Sequence, residues 1–265
     1  MPLRKTTAPG TQHSEQHKTV ARQLIAEAAA MFIYVAAGAG AVAFLRINAH
    51  NSGRILTGED WLFVGLAHGV MLFTGTMISI DLAGVHMNPA VTVGLAVVRQ
   101  YSWRKVPLQI MAQVAGAVVG AACILLVYGN DALRVGSLGG PIIARHITLF
   151  QAALGESLGT TILVLPQVVS GVNRRVHRGW GVLASAASVL ALTLEIGPST
   201  TAIINPARGF GPDLLDALAG IPIDWGVFAL VFVIGPVAGA AIGAWLLRRL
   251  LAASGNETRT NVRKR

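Results

Sequence analysis

One short sequence occurs twice in this chain, each time between long apolar segments. The two copies are Asn88-Pro89-Ala90 and Asn205-Pro206-Ala207, which lie 117 positions apart. Asn is a favoured helix N-cap, and Pro is tolerated at the first helical position because the N–H that it lacks would be unpaired there. Each copy therefore predicts the beginning of a helix, and its apolar surroundings place that beginning inside a membrane.

The composition is typical of an integral membrane protein. Of the 265 residues, 53% are hydrophobic and 12% are charged, and the mean hydropathy of +0.60 is too high for a soluble domain of this length. A helix needs about 20 apolar residues to cross the hydrocarbon of a bilayer. Six segments approach that length: residues 20–45, 61–80, 106–128, 148–169, 180–196 and 226–247. We therefore predict an all-α membrane protein of six transmembrane helices and two re-entrant half-helices.

The two halves of the chain share further landmarks in the same order. A carboxylate enters the first and fourth apolar segments, at Glu27 and Glu156. Glycine pairs recur in the third and sixth segments, at Gly116/Gly120 and Gly239/Gly243. This order predicts an internal duplication, with one repeat over residues 20–128 and the other over 148–250.

Each half contains three spans, an odd number, so the second half enters the membrane from the opposite side. The predicted result is an inverted repeat in which the two short helices point their N-termini at each other near the middle of the bilayer. Folds of this kind place their substrate path at that point. The exposed N–H groups and the positive helix-dipole ends would repel cations there and orient a neutral polar solute.

The net charge of +9 follows from membrane topology and does not indicate a nucleic-acid partner. If the N-terminus is cytoplasmic, sixteen of the 21 Lys and Arg residues fall in segments on that side. The outer loops then hold only Arg46, Arg54, Arg134 and Arg145. An excess of basic residues marks cytoplasmic segments, so both termini are predicted to be cytoplasmic.

The same reasoning divides the chain into one domain and two tails. Residues 1–19 are predicted to form a disordered cytoplasmic tail, residues 20–250 a single domain, and residues 251–265 a basic cytoplasmic tail. Cys123 is the only cysteine, which excludes an intramolecular disulfide. A His-Glu-x-x-His sequence and a nucleophile paired with a base are both missing, so we expect no enzyme activity, no metal and no cofactor.

Two other membrane functions remain open at this point. Ion-coupled secondary transporters also use inverted repeats with half-helices, but they usually have more spans and acidic residues at the midplane, where this sequence offers Asn amides. A purely structural membrane protein would show no permeability above that of lipid.

Taken together, these residues resemble the major intrinsic protein family, the aquaporins and glycerol facilitators. The resemblance covers roughly residues 20–250, and paired Asn-Pro-Ala sequences at corresponding points of two apolar halves are a highly specific signal. It implies a right-handed bundle of six tilted helices and two half-helices, with one pore per chain. It also implies assembly as a homotetramer in the plasma (cell inner) membrane and passage of water and small uncharged solutes.

The resemblance assigns roles to particular residues. As N-caps, Asn88 and Asn205 would keep their amide N–H groups free to donate to a passing oxygen at the pore centre. A guanidinium in an apolar half-helix is costly unless it meets water or a partner, and the resemblance puts Arg208 at an outer constriction. The other walls of this selectivity filter would be His68, Thr193 and Ala202. From the residues alone, His68 also fits a structural hydrogen-bonder and Arg208 an interfacial side chain.

The predicted filter departs from both main patterns of the family. Water-selective members commonly have Phe and His at its first two positions, whereas glycerol facilitators have Trp and Gly with a Phe at the third. Thr193 and Ala202 are small, which indicates more room than a strict water filter has. We therefore predict rapid water passage together with small neutral solutes. The alternative is a glycerol, urea or ammonia facilitator in which water is secondary.

The segments before the two half-helices are also assigned a role. They are predicted to be extended and to line the pore with backbone carbonyls, at Gly84, Val85 and His86 and at Thr201 and Ile203. Glu27 and Glu156 resemble proton-relay acids, but the family implies carboxylates that hold these segments in shape. Glu195 is either an interfacial carboxylate or a partner of Arg208 or His68.

Overall fold

The protein, seen in a computed structural model, is described over residues 9–79, 86–172 and 178–253. Within these ranges the regular structure is helical. The α-helices in chain order are α1 (Pro9–Ile33), α2 (Gly40–Asn51), α3 (Gly58–Ser79), α4 (Pro89–Val97), α5 (Val106–Tyr128), α6 (Asn130–Arg134), α7 (Leu149–Val172), α8 (Arg178–Thr200), α9 (Pro206–Leu218), α10 (Trp225–Val227) and α11 (Gly235–Ala253). Two π-helical segments, Tyr34–Ala39 and Phe228–Ile234, join α1 to α2 and α10 to α11 into continuous helices.

Six helical segments are long and apolar enough to cross a membrane. They are Val20–Asn51, Gly58–Ile78, Trp103–Tyr128, Leu149–Gly171, Gly179–Thr200 and Trp225–Ala253. Each contains nearly all of one predicted span, so the six-span prediction is confirmed. Large apolar side chains such as Leu126, Phe150 and Leu230 are exposed on the outside of the bundle. Contact with lipid tails is favourable for such side chains, whereas contact with water is not.

The first helix is longer than the sequence predicts. Helix α1 begins at Pro9, within the stretch for which the sequence predicts a disordered tail. No proline or glycine lies between Gly10 and Gly38, and nothing therefore stops the helix from continuing outward from the span. Arg46, which was expected in an outer loop, lies inside α2, because no proline or glycine lies between Gly40 and Gly53 to end that helix. At the other end, α11 includes residues 251–253 of the expected tail, and residues 254–265 lie outside the described ranges.

Helix packing relates the two halves of the chain. Helix α1 packs on α3 and α5 in the first half, and α7 packs on α8 and α11 in the second. The half-helices exchange partners, because α4 packs against α11 and α9 against α5. Helices α3 and α8 meet between the halves. These paired contacts are those of an inverted repeat, and they place α4 and α9 inside the bundle, where most of their residues are buried.

Two of the repeated glycines set how closely the helices approach. A Cβ atom at Gly116 would collide with the backbone of Ala28 in α1, and one at Gly239 would collide with the backbone of Ser157 in α7. Ala28 and Ser157 each directly follow one of the two buried carboxylates. Small residues at such contacts let helices in membranes approach closely. The same contact therefore fixes the position of the carboxylate helix in each half.

Candidate functional site

The two half-helices begin at the repeated prolines, as the sequence predicts. Asn88 has extended backbone angles (φ −160°, ψ 119°), and its side-chain oxygen accepts from the N–H of Ala90 at 2.8 Å. Asn205 is also extended (φ −148°, ψ 102°), and its oxygen accepts from the N–H of Arg208 at 3.3 Å. Both asparagines are therefore N-caps, and their remaining polar atoms are the amide N–H groups.

These amides join the two halves of the chain. Nδ2 of Asn88 donates to the carbonyl of Ile204 at 2.8 Å, and Nδ2 of Asn205 donates to the carbonyl of Met87 at 2.6 Å. Each acceptor is the residue that directly precedes the opposite asparagine. The N-termini of α4 and α9 therefore meet head to head inside the bundle. Each amide thus already donates to the other half, and Nδ2 of Asn205 also lies 3.9 Å from Sδ of Met31; the sequence did not predict these contacts.

Buried carboxylates hold the segments that lead into both half-helices. Glu27 accepts from the backbone N–H groups of His86 (3.0 Å) and Met87 (2.7 Å). Glu156 accepts from the N–H groups of Ile203 (2.9 Å) and Ile204 (2.5 Å). Both carboxylates are completely buried. In each half, two consecutive backbone N–H groups before the half-helix are therefore bonded to a buried carboxylate.

The backbone of the second segment differs from the prediction. Thr201, Ala202 and Ile204 have φ values of 66°, 49° and 40°, and Met87 in the first segment has 51°. The expected extended conformation is therefore wrong at residues 201 and 202. A left-handed conformation costs roughly 1–2 kcal/mol for each residue other than glycine, so local preference gave no sign of it. Hydrogen bonds such as those to Glu156 override that preference. Gly84 and Val85 lie outside the described residues.

Arg208, in the first turn of α9, meets His68 of α3. Arg208 is completely buried; its Nε donates to Nε2 of His68 at 3.3 Å, and its Nη1 donates to the carbonyl of Gly139 at 2.7 Å. Nδ1 of His68 lies 3.0 Å from the carbonyl of Val64. A carbonyl only accepts, so Nδ1 carries the proton and Nε2 is left to accept from Arg208. His68 is thus oriented from both sides.

The surroundings of the histidine explain its position. Gly38 lies in the π-helical segment, and a Cβ atom there would be 2.8 Å from Cδ2 of His68. Tyr34 packs edge-on against the same ring at a centroid distance of 5.3 Å. A π-helical turn within a helix often marks a functional site, and here it leaves the space that the imidazole fills.

The other two predicted wall residues are buried. Thr193 is 2% exposed on α8, and its hydroxyl donates to the carbonyl of Val189 at 2.8 Å. This bond leaves the lone pairs of its oxygen available as acceptors. Ala202 is 6% exposed in the segment before α9. Glu195 is exposed on α8, which agrees with the interfacial alternative, and the described partners of Arg208 are other residues.

The loop over residues 136–142, which the sequence did not single out, is tied to this region. Arg46 donates to the carbonyls of Gly136 (3.3 Å) and Gly140 (3.0 Å) and to the hydroxyl of Thr201 (2.9 Å). The N–H of Ile142 donates to the same hydroxyl at 3.1 Å. Together with the bond from Arg208 to Gly139, these contacts fix residues 136–142 beside Arg208 and the segment before α9. The run of glycines in this loop was the available signal.

Three polar side chains beside the carboxylates were also missed. Gln113 donates to Glu27 at 2.5 Å and to the hydroxyl of Thr92 at 3.0 Å, and Thr200 donates to Glu156 at 2.5 Å. A buried glutamine in an apolar span is costly without partners, so its presence in α5 was a usable signal. Among the described residues, groups of three or more His, Cys, Asp or Glu side chains that could hold a metal ion are absent.

Comparison with known proteins gives one family. The family model described as Major intrinsic protein matches residues 14–247. Aquaporin AqpM of Methanothermobacter thermautotrophicus is 33% identical over 236 residues, which cover 85% of this chain and 96% of that protein. The glycerol uptake facilitator protein of Bacillus subtilis is 32% identical over 197 residues, or 70% of each chain. The aquaglyceroporin from Plasmodium falciparum superposes with a TM-score of 0.77 at 23% identity, covering 89% of this chain and 98% of that one, and therefore shares the fold.

Proposed function

The chain belongs to the major intrinsic protein family of membrane channels, and on this basis we propose that it passes water and small neutral solutes passively and excludes protons and ions. The observation that carries the proposal is the head-to-head meeting of α4 and α9. Two helix N-termini in a low-dielectric interior present positive dipole ends to whatever lies between them. A cation would meet repulsion from both sides.

The asparagines act at this meeting point. Each amide uses one N–H to hold the opposite segment, and the second N–H is the group that donates to the oxygen of a passing molecule. A molecule held by two donors presents its own hydrogens away from the centre, which interrupts proton transfer along a row of waters. The residues that carry this step are Asn88 and Asn205, held in place by Pro89, Ala90, Pro206 and Ala207.

Selectivity is assigned to His68, Thr193, Ala202 and Arg208. Arg208 supplies a fixed positive charge and donors, and His68 supplies a rigid wall. Thr193 and Ala202 leave more room than large side chains would. Carbonyls of the segments before the half-helices, at Gly84, Val85, His86, Thr201 and Ile203, are the acceptors that replace lost hydration. Glu27 and Glu156 keep these segments in shape.

A second candidate is a glycerol, urea or ammonia facilitator in which water is secondary. Two observations support it. Thr193 and Ala202 are small, and this chain has nearly the same sequence identity to a protein named aquaporin as to one named glycerol uptake facilitator. We also propose a homotetramer in the plasma membrane with both termini cytoplasmic, which agrees with the excess of basic residues on that side.

Stopped-flow light scattering of vesicles that contain the purified protein tests the proposal. With an impermeant osmolyte, these vesicles should shrink faster than empty ones, and glycerol, urea and ammonium gradients applied in turn rank the solutes. Flux should rise linearly with solute concentration and should not need an ion gradient, whereas saturation or gradient dependence would indicate a carrier. Shrinkage at the rate of empty vesicles would refute the channel.

Two tryptophan variants on α8 localise the path. Thr193→Trp places a large ring at the proposed constriction and should abolish the excess permeability. Ala187→Trp adds the same ring on the exposed side of that helix and should leave permeability intact. Equal permeability in the two variants would place the path elsewhere.

A further inference from the structure

A cavity of about 340 Å³ lies at the end of the bundle where α4 stops beside the last turns of α11. It is lined by Val97, Val98, Arg99, Trp245, Arg248, Arg249 and Ala252. At about 30 Å³ for each molecule of liquid water, it has room for roughly ten waters. It shares none of these residues with the constriction or with the asparagine site.

The lining carries three positive charges and no carboxylate. Arg248 donates to the carbonyl of Val98 and so fixes α11 to the end of α4. The guanidinium of Arg249 lies over the ring of Trp245, 5.5 Å from its centroid. Guanidinium groups present a planar fork of donors that matches the oxygens of a phosphate.

Arg99 occupies a position whose backbone favours glycine. It directly follows Val98, the C-cap of α4, and has a φ of 61°. Glycine or asparagine usually takes the left-handed position after a helix. Other residue types in the left-handed conformation are strained, and they cluster at functional sites. The side chain of Arg99 is exposed and lines the cavity.

The inverted repeat supplies an internal comparison. Helix α9 packs against α5 as α4 packs against α11. The offset of 117 between the two asparagines relates Arg99 to Asp216, and the offset of 123 between Gly116 and Gly239 relates Arg248 and Arg249 to Leu125 and Leu126. The packing of a half-helix on a span therefore does not require arginines at this place.

We propose that this cavity binds the phosphate of an anionic lipid head group. Leu246 and Leu250, next to the lining residues of α11, are 48% and 68% exposed, so an apolar surface suited to lipid tails lies beside the cavity. Trp245 is 48% exposed and has the amphipathic ring that favours the level of the head groups. Basic cavities between membrane helices on the cytoplasmic side suit anionic head groups.

Native mass spectrometry of the delipidated full-length protein tests the site. The protein in detergent is titrated with phosphatidylglycerol or with phosphatidylcholine, and then with phosphatidylglycerol in the presence of inorganic phosphate. The test variant is Arg99→Gln/Arg249→Gln. The control is Arg22→Gln/Arg104→Gln, which removes the same charge from two exposed arginines outside the cavity. Size-exclusion elution verifies that both variants are folded.

The expected result is retention of phosphatidylglycerol in preference to phosphatidylcholine by the unaltered protein and by the control. The test variant should bind phosphatidylglycerol more weakly by about fivefold for each arginine removed. Equal binding by the unaltered protein and the test variant would overturn the proposal, as would an equal loss in the control. Binding of inorganic phosphate, with no more phosphatidylglycerol retained than phosphatidylcholine, would keep the phosphate site but overturn its assignment to lipid. Permeability does not enter this test, so its outcome is independent of the proposed channel function.

Discussion

Replacing Glu156 and Glu27 by glutamine should have unequal effects, although the two carboxylates occupy corresponding positions in the repeat. Glu156 uses both oxygens: Oε1 accepts from Ile203 and Thr200, and Oε2 accepts from Ile204. In Glu156→Gln one of these oxygens becomes an NH2 group that faces a donor. At least one buried N–H therefore loses its acceptor.

Glu27 distributes its bonds differently. Its Oε1 accepts from His86, Met87 and Gln113, whereas Oε2 accepts only from the N–H of His86, which also lies 3.1 Å from Oε1. In Glu27→Gln the amide oxygen can take the place of Oε1 and keep all three partners. The NH2 group then faces the N–H of His86, but that N–H keeps Oε1 as its acceptor. Both variants lose a negative charge, and the attraction between Glu156 and Arg208 makes that loss more costly in Glu156→Gln.

The expected difference follows from the orphaned donor. A buried donor that loses its partner costs roughly 1–3 kcal/mol, so Glu156→Gln should be less stable than Glu27→Gln by about that amount. At about 2–4 °C for each kcal/mol in a chain of this size, the thermal midpoint in detergent should be lower by several degrees. Water permeability should fall in the same order, because Ile203 and Ile204 lose the contact that holds their segment. A midpoint of Glu27→Gln equal to or below that of Glu156→Gln would refute this reasoning.

Three further substitutions examine the constriction. His68→Ala should raise the ratio of glycerol to water permeability in vesicles severalfold because it removes a wall, whereas His50→Ala, exposed on α2, should not change it. Gly38→Ala should lower water permeability, because its Cβ would lie 2.8 Å from the imidazole of His68 and would displace it. Gly58→Ala, where a Cβ meets nothing within 4 Å, is the control. Arg208→Lys keeps the charge but loses the fork that reaches both His68 and Gly139. Vesicles that contain this variant should still exclude ions but should discriminate less between glycerol and water. An unchanged ratio of glycerol to water permeability would contradict the filter role.

The features that the sequence predicts correctly are those with local signals. The six spans follow from hydropathy, and the two helix beginnings follow from an N-cap directly before a proline. The paired landmarks predict the relation between the halves. Each landmark lies within a window that ranges from a few residues to one span. Its interpretation therefore depends little on tertiary contacts.

The features that were missed depend on contacts between distant parts of the chain. Ile204 is β-branched and prefers an extended backbone, yet it lies at a φ of 40°, where its N–H reaches Glu156 in another helix. Arg46 was assigned to a loop by hydropathy, and its bonds to residues 136, 140 and 201 connect segments about 90 and 155 positions away. No local pattern encodes such contacts. Sequence reasoning therefore identified the helices around the site but not the backbone that shapes it.

The hydrogen bonds at the centre of the bundle form a reciprocal arrangement that explains why the site keeps its shape. The backbone N–H groups of Met87 and Ile204 donate to the carboxylate of their own half, and the backbone C=O groups of the same two residues accept from the asparagine of the other half. Neither half can shift its half-helix without breaking bonds that belong to the other. Donors that are fixed before a molecule arrives need no rearrangement when it passes. A passive channel depends on such rigidity, because its site must bind and release many molecules in succession without a conformational change.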